Sequence, residues 1–414
     1  MFTQLRKTYN EFPSRFWVIV LARFIDGIGN TLLFPFFALY ITQKFNVGMT
    51  QAGVMLGASS LAGLFGGILG GALADKFGRR SIILFGLVFS AVSAIALGIT
   101  NNLELMYIVA IIVGLVGSIG HPAHGAMVAD ILPEDKRQEG FGILRVVGNM
   151  SWLVGPTIGG FVASRSYLAL FISDAVISCI VAVIVYRYLP ESKPEPHPDE
   201  EQKTFMQTVG GYGIVLRDFA FMAFITASIL MTIVYQQMYN SLSVFLRDNH
   251  GIDPQGYGFL LSTSAITVIL FQFWTTRRIK RYPPFVMMGV GAVFYAVGFG
   301  LFGFVTVFAL FAMNIVIITI GEMIIMPISQ ALVAGFAPDD MRGRYMAVSG
   351  MTWMVPSTFG PGLAGFLLDN YNPNLLWYIG GILCLIAALA FYALHLRLGT
   401  RPQFSPADIP AAAD

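Results

Sequence analysis

Carboxylic acids lie deep inside long apolar stretches of this sequence, where a charged group is costly. Glu322 lies in the segment Gly321-Glu-Met323, and Asp26 follows Arg23 in the first apolar stretch. Removal from water favours the neutral, protonated form of a carboxyl group, so such a residue can take up and release a proton as its surroundings change. We predict that Glu322 and Asp26 carry protons, the alternative being carboxyl groups with satisfied structural roles.

Two histidines in the fourth apolar stretch, His121 and His124, are also candidates for proton transfer. They are three residues apart and would share a helix face, and histidine titrates near neutral pH. The alternative is a pair of buried histidines that bind backbone carbonyls freed by Pro122. Without a neighbouring cluster of cysteines or carboxylates they predict no metal site.

Arg145 lies in the fifth apolar stretch, where an unpaired cation would be too costly. Asp130, at the end of the fourth stretch, is the predicted partner. Either a structural ion pair or a proton relay would fit these two residues.

Amides and aromatic residues inside apolar stretches predict a cavity that accepts amphipathic molecules. The alternative for most of them is ordinary helix packing. The candidates are Asn30, Phe34, Tyr235, Gln236, Tyr239, Asn240 and Gln330.

The composition predicts a membrane protein whose surroundings are the lipid bilayer. Of its 414 residues, 56% are hydrophobic and 12% charged, and the mean hydropathy is +0.70. A membrane-spanning helix needs roughly 20 apolar residues, so the length allows about a dozen such helices. The cations lie between apolar stretches, which does not favour a nucleic-acid partner. Cys179 and Cys384 both fall inside apolar stretches and are predicted to be packed free thiols.

No pattern of enzyme residues stands out in the sequence. It has no glycine-rich phosphate-binding loop ending in Lys-Ser or Lys-Thr, and no Ser–His–Asp or metal-ligand spacing. We therefore predict a protein that is not an enzyme and needs no cofactor.

Twelve spans in an all-α membrane fold would position these residues. The predicted domains are an N-terminal six-helix bundle (1–190), a cytoplasmic loop (191–217) with a short interfacial helix near 205–216, a C-terminal six-helix bundle (218–400) and a cytoplasmic tail (401–414) that we predict to be disordered. The predicted spans are Phe16–Ile41, Met49–Leu73, Ser81–Thr100, Leu103–Ile131, Gly140–Ala163, Tyr167–Leu189, Asp218–Phe245, Gly256–Thr276, Pro284–Val305, Phe308–Phe336, Tyr345–Leu368 and Leu375–Leu396.

The distribution of lysine and arginine predicts that both termini are cytoplasmic. With that orientation the inner loops and tails hold 20 of these residues and the outer loops hold 3, namely Lys44, Arg165 and Arg247. Inner loops of membrane proteins carry such an excess.

The two halves of the chain are related by a repeat with an offset of 205 residues. At this offset 133–137 aligns with 338–342, and Gly155-Pro156 aligns with Gly360-Pro361. Parallel repeats of six helices, with a substrate site between them near the midplane, are one of the known transporter architectures.

The turn between the second and third spans carries a motif that includes Gly71, Asp75, Gly78, Arg79 and Arg80. We expect Gly71 to allow close helix packing, Gly78 to adopt a positive φ and Asp75 to bind backbone N–H groups or a neighbouring cation. The segment resembles the signature of the major facilitator superfamily, and only Lys76 departs from it. The resemblance implies a transporter in which Asp75 helps to lock one conformational state.

A second motif in the fifth span resembles that of the bacterial drug:proton antiporters with twelve helices. It comprises Gly148, Gly155, Pro156, Gly159 and Gly160. The resemblance implies export, while close packing of small residues is the simpler explanation.

The resemblance implies a monomeric, proton-coupled exporter of small amphipathic compounds in the inner or plasma membrane. In that superfamily the first, fourth, seventh and tenth spans line the central cavity, so the resemblance favours Asp26 and Glu322 as proton sites. The sixth span would face lipid or its own bundle, so we predict a structural role for Asp174. The alternatives are an uptake carrier or lipid transporter of the same fold, and a membrane sensor.

Overall fold

The structure is a computed structural model that describes residues 9, 11–192, 213–338, 341–401 and 404. The described residues form helices and no strands. Most of the predicted polar loop and C-terminal tail, including 205–212 of the predicted interfacial helix, lies outside them.

The helices are numbered here in chain order. They are α1 (Ser14–Leu33), α2 (Phe37–Lys44), α3 (Met49–Phe77), α4 (Arg79–Ile99), α5 (Leu103–Gly117), α6 (Gly120–Ile131), α7 (Arg137–Ala163), α8 (Tyr167–Tyr188), α9 (Phe219–Tyr235), α10 (Gln237–Asn240), α11 (Leu242–His250), α12 (Pro254–Ile279), α13 (Pro284–Leu301), α14 (Phe308–Phe336), α15 (Arg342–Ser349), α16 (Met351–Asn370) and α17 (Asn374–Leu398).

Eleven helical segments of the described residues are long and apolar enough to cross a membrane. The predicted eleventh span completes the twelve-helix fold as two helices, α15 and α16, that meet at Gly350. The second of these contains Pro356 and Pro361, which lower its apolar content.

Besides the eleventh, three predicted spans are interrupted. In the first, Pro35 lies in a turn of 3₁₀ helix between α1 and α2. The fourth breaks between α5 and α6, and the seventh breaks after Tyr235 and again at Ser241. Interrupted helices expose backbone groups inside a membrane and therefore mark binding regions in transporters.

The chain divides into two compact units. The first comprises Met1–Pro198 and Gly251–Ser262, and the second comprises Asp199–His250 and Thr263–Asp414. The domain boundaries drawn from the sequence stay a prediction.

In the first unit, α1 packs against α7 and α8, α4 against α8, and α3 against α5. Hydrogen bonds fix α1 to α7, because the Thr31 hydroxyl donates to the Ser151 carbonyl (3.0 Å) and the Ser151 hydroxyl donates to the Phe24 carbonyl (3.1 Å). The apolar core around them includes Phe16 and Ile83.

In the second unit, α13 packs against α14 and α17, while α9 packs against α16 and α17. Its interior is rich in aromatic residues, among them the fully buried Phe224, Phe299 and Trp377. Edge-to-face and stacked rings contribute stabilisation beyond the buried area alone.

Cysteine accessibility corrects one expectation. Both cysteines are free, but only Cys384 is packed in the interior, whereas Cys179 is exposed on α8. An apolar stretch alone does not show which side of a helix faces its neighbours.

Candidate functional site

Glu322 occupies the middle of α14 and is partly buried in the second unit. Its carboxyl group interacts with the side chain of Tyr235, the last residue of α9. The Tyr235 hydroxyl lies 3.1 Å from that of Tyr239, on the far side of the helix break. The interruption of the seventh span thus presents two phenolic hydroxyls close to one membrane-embedded carboxyl group.

Two further aromatic side chains complete this cluster. The rings of Tyr235 and Tyr295 are stacked with centroids 5.4 Å apart, and the ring of Trp353 meets Tyr235 edge-on at 6.2 Å. Trp353 is 46% exposed, whereas Tyr295 is buried. An acid beside an aromatic wall suits a site for a proton and an amphipathic cation. Sequence analysis missed Tyr295 and Trp353, because nothing in their local sequence sets them apart from packing residues.

Two of the predicted cavity amides of the second unit, Gln236 and Asn240, form hydrogen bonds with other residues of that unit. Gln236 donates to the Trp353 carbonyl (3.3 Å) and to the Ser357 hydroxyl (3.1 Å), and Asn240 donates to the Gln236 carbonyl (3.1 Å). Both are buried, while Gln330 is exposed. Gln236 and Asn240 therefore hold the broken seventh span in place, and their role toward a substrate stays a prediction.

The first unit holds a polar cluster on α1. Asp26 is 3.8 Å from Arg23, and its side chain is 16% exposed. Asn30 donates from Nδ2 to Asp26 Oδ2 (3.3 Å) and to the Asp26 carbonyl (3.0 Å). Phe34, another predicted cavity residue, is 48% exposed at the start of the helix break.

His121 and His124 lie on α6 within electrostatic range of Arg23. The structure therefore associates the histidine pair with Arg23 of α1. Among the described residues no group of three or more His, Cys, Asp or Glu side chains could hold a metal ion.

Asp174 is the least exposed acid of the first unit, with 8% of its surface accessible. Its Oδ1 atom would lie 2.8 Å from a Cβ atom placed on Gly29. Asp26 is one turn away from Gly29 on the same helix, and the two carboxyl groups interact electrostatically. This proximity was not visible in the sequence, because the residues belong to the first and sixth spans.

The motif turn buries its first arginine. Arg79 is 8% exposed in its side chain and lies 2.8 Å from Asp75 and 3.3 Å from Asp130. The contact of Arg79 Nε with Asp130 has the distance of an ion pair without the alignment of a hydrogen bond. Asp75 itself is 73% exposed. The neighbouring cation that Asp75 was predicted to bind is thus Arg79.

Asp130 has different partners from the one predicted. It pairs with Arg79 and accepts a hydrogen bond from the Ser192 hydroxyl (3.0 Å), whereas the sequence analysis named Arg145. Arg145 has interactions of its own in α7. The reason is tertiary packing, because the turn that starts α4 brings Arg79 to the end of α6. The sequence of a single span does not show such a contact.

Gly78 has the positive φ that the sequence predicts, at 95°. A Cβ atom there would collide with the Glu191 carboxylate, which accepts hydrogen bonds from the backbone N–H groups of Arg80 (3.0 Å) and Ser81 (3.2 Å). Glu191 therefore caps the positively polarised N-terminus of α4. Sequence analysis missed this residue, because it follows the sixth span and looked like the start of a polar loop.

The arginine that follows, Arg80, binds the end of α8. Its guanidinium group lies 5.0 Å from the centre of the Tyr186 ring and donates to the Tyr186 carbonyl.

The packing role assigned to Gly71 is wrong. A Cβ atom on Gly71 would meet nothing within 4 Å, whereas one on Gly70 would collide with the Ile119 carbonyl and one on Gly66 with that of Leu115. The glycines that let α3 approach its neighbours therefore lie on the adjacent face of the helix.

The fifth-span motif packs α7 through three of its four glycines. Cβ atoms on Gly155 and Gly159 would collide with Thr31 and with the Leu32 carbonyl, and one on Gly160 would lie 2.6 Å from the Pro254 carbonyl of the same unit. Gly148 has open space around it. Pro156 lies inside the helix. Close packing against α1 is therefore one function of this motif.

Comparison with known proteins agrees with this fold. The family model described as Major Facilitator Superfamily matches residues 19–248 and 237–411. The chain is similar to a Na⁺, Li⁺, K⁺/H⁺ antiporter of Planococcus maritimus, with 24% identity over 83% of this chain and 87% of that protein. It also resembles multidrug resistance protein 1 of Bacillus subtilis strain 168, with 24% identity over 85% and 89% of the two chains.

Among solved structures, a POT family transporter crystallised with 5-aminolevulinic acid superimposes with a TM-score of 0.79. The two share 16% identity, and the match covers 93% of this chain and 96% of the other. Since the family model spans nearly the whole sequence, the chain belongs to the major facilitator superfamily of membrane transporters.

Proposed function

We propose that this transporter exports small amphipathic compounds, cations among them, in exchange for protons. Protons and cargo would use alternating access, and the monomeric protein would lie in the bacterial inner or plasma membrane with both termini in the cytoplasm. The observation that carries the proposal is the position of Glu322, mid-helix and beside Tyr235 at the break of the seventh span.

The coupling follows from what the Glu322 carboxyl group can do in this setting. An ionised carboxyl is costly inside the membrane, so the group holds a proton until water or a cationic cargo reaches it. Coupling requires that the cargo bind the two protonation states differently. A cationic, aromatic cargo meets this requirement, because it would pair with the carboxylate and stack on Trp353.

The direction of transport is supported by the motif of α7 and by the named relatives. One relative is a multidrug resistance protein and another is an antiporter. Uptake and lipid movement by the same fold are the alternatives within transport, and a sensor without transport is the alternative outside it.

The test uses the purified protein in proteoliposomes with an imposed pH gradient, and ethidium and tetraphenylphosphonium as probes. We expect the probe to accumulate in the compartment from which protons leave, and Glu322→Gln to abolish that accumulation. Exchange of the cationic probes at equal concentrations should weaken as well, because the variant mimics the protonated state, which does not pair with a cation, while it keeps the fold. Asp248→Asn removes an exposed acid paired with Arg247 and is the matched control.

The outcome distinguishes the alternatives. Probe and protons that move in the same direction would identify an uptake carrier, and the absence of flux under any gradient would favour a sensor. Glu322→Gln that still accumulates probe with the normal pH dependence would overturn the proton role of Glu322, leaving His121 and His124 as the next candidates.

Alkali cations are a second candidate cargo, because the relative from Planococcus maritimus is named for their exchange with protons. In the same vesicles, added Na⁺, Li⁺ or K⁺ would dissipate the pH gradient if this candidate is correct.

A further inference from the structure

Asp174 is a buried carboxyl group without a hydrogen-bond or ion-pair partner among the described residues. It is 92% buried, and among the described residues it has no hydrogen bond and no ion pair. The glycine opposite it leaves the space that its Oδ1 atom fills, 2.8 Å from the position of a Cβ on Gly29. A buried carboxyl group that makes no such bond has a desolvation cost that the fold does not offset.

The charged group that acts on Asp174 is another acid, Asp26. Asp26 lies one turn from Gly29 on α1 and acts electrostatically on Asp174. Two carboxylates that share a site cannot both be ionised without a bound cation or a proton. Asp26 has Arg23 at 3.8 Å and an amide hydrogen bond from Asn30, whereas Asp174 has neither.

The charged groups around Asp26 and Asp174 do not supply enough positive charge to balance both carboxylates. The elements packed against α8 are α1, α4 and α7. The first contains Arg15, Arg23 and Asp26, and the last contains Arg137, Glu139 and Arg145. The titratable side chains of α4 are Arg79 and Arg80 at its first turn, where they bind Asp75, Asp130 and Tyr186. On α8 itself, Tyr167 is the first residue, Cys179 is exposed, and Tyr186, Arg187 and Tyr188 lie at its end.

The histidines of α6 act electrostatically on the arginine and not on Asp174. His121 and His124 interact electrostatically with Arg23. The charged groups that the contacts bring together here are Arg23, Asp26 and Asp174. Full ionisation of these three groups leaves a net charge of minus one.

We propose that Asp26 and Asp174 form a second binding site, which holds one monovalent cation, either a proton shared by the two carboxyl groups or an alkali ion in its place. The site lies wholly within the first unit and is independent of Glu322. It deepens the proposed antiport function by adding a second ion-binding position, and it rests on that function only for its role in transport.

The site is tested on purified protein in detergent, in weak buffer with a pH indicator. Addition of NaCl or LiCl, with choline chloride as the control salt, should release a proton from the wild-type protein and from Glu322→Gln if alkali ions enter. If only protons bind, the salts release nothing. Infrared difference spectra between acid and alkaline samples should then show a protonated carboxyl band that persists in Glu322→Gln.

Asp174→Asn and Asp26→Asn should each abolish the proton release or the carboxyl band, whereas Asp248→Asn should retain it. Gly29→Ala keeps both acids but places a Cβ atom against Asp174, and it should weaken the site. A folded Asp174→Asn protein that retains the full proton release and the full band would overturn the proposal.

Carbodiimide labelling tests the site without any substitution. The reagent modifies protonated carboxyl groups, and mass spectrometry of peptides locates the adduct. Labelling of Asp174 or Asp26 that falls at high pH or in NaCl supports the site, and labelling of Glu322 alone contradicts it. Loss of coupled transport in Glu322→Gln concerns only the proposed function, because these binding measurements do not depend on Glu322.

Discussion

Glu322 has a hydroxyl partner whose contribution can be separated from that of the surrounding rings. Tyr235 interacts with the carboxyl group and stacks on Tyr295, whose own hydroxyl is buried without a hydrogen bond among the described residues. The two tyrosines therefore form a matched pair, one whose hydroxyl has a hydrogen-bond partner and one whose hydroxyl has none among the described residues.

We expect Tyr235→Phe to make Glu322 bind its proton more tightly, because the hydroxyl stabilises the ionised form. Hydrogen bonds to charged groups are worth about 1.5–3 kcal/mol, so the carboxyl group should hold its proton roughly tenfold more tightly or more. The pH dependence of transport in proteoliposomes measures this. Tyr295→Phe should leave it unchanged, and equal effects of both substitutions would show that only ring packing matters.

The buried Arg79 depends more on Asp130 than on the motif acid Asp75. Removal of one partner from a buried ion pair costs about 3–5 kcal/mol, whereas exposed pairs contribute about 0.2–1 kcal/mol. Since Asp75 is 73% exposed and Asp130 is 27% exposed, Asp130→Asn should lower the melting temperature in detergent by more than Asp75→Asn does. The opposite order would show that Asp75 is the main structural partner.

A different measurement concerns the conformational role of Asp75. An exposed acid contributes little to the fold, so Asp75→Asn should slow transport more than it weakens substrate binding. Comparison of transport rates with probe binding to purified protein checks this, and normal turnover would contradict it.

At the scale of elements, the turn between α3 and α4 is organised by Gly78 and Glu191. Gly78 has φ 95° and ψ 152°, a region almost restricted to glycine, where another residue costs on the order of 1–3 kcal/mol. Gly78→Ala should therefore destabilise the protein and expel Glu191, while Gly71→Ala, which meets open space, should be neutral. Thermal unfolding in detergent compares them, and equal melting temperatures would refute the distinction.

Glu191 also predicts a pH-dependent stability. Burial acts to raise its pKa, but hydrogen bonds from the backbone N–H groups of Arg80, Ser81 and Ser192 outweigh this and hold the pKa below its ordinary value. A carboxyl group with a lowered pKa contributes stability above its unfolded pKa, about 4.3, and the contribution is lost as the pH falls through the folded value.

The melting temperature of Glu191→Gln should accordingly lie below that of the wild type near neutral pH. The difference should shrink as the pH falls below about 4. A difference that is constant across this pH range would show that Glu191 acts through its shape and not its charge.

At the scale of the whole molecule, the distribution of cations predicts the orientation in the membrane. With Cys179 and Cys384 replaced by serine, single cysteines at Lys136 and at Arg165 should react with membrane-impermeant maleimide from opposite sides. The excess of cations in one set of loops favours the cytoplasm for Lys136. Labelling of the Lys136 position in intact cells would show that the topology is the reverse of the predicted one.

Much of the fold and part of the site could be predicted from the sequence by itself. Long apolar stretches determined the spans, and the 205-residue offset determined the repeat. The depth of Glu322 followed from its position along one helix. These are properties of single helices, in which residue spacing translates directly into distance and face.

Only the tertiary structure decided which residues meet across helices. It paired Asp130 with Arg79, brought Asp174 to Gly29 and placed Glu191 at Gly78. It also assigned close packing to Gly70 instead of Gly71. Such contacts depend on the rotation of each helix about its axis and on the packing of helices that are distant in the chain. A uniformly apolar sequence carries little information about that rotation, because most faces of each helix are equally hydrophobic.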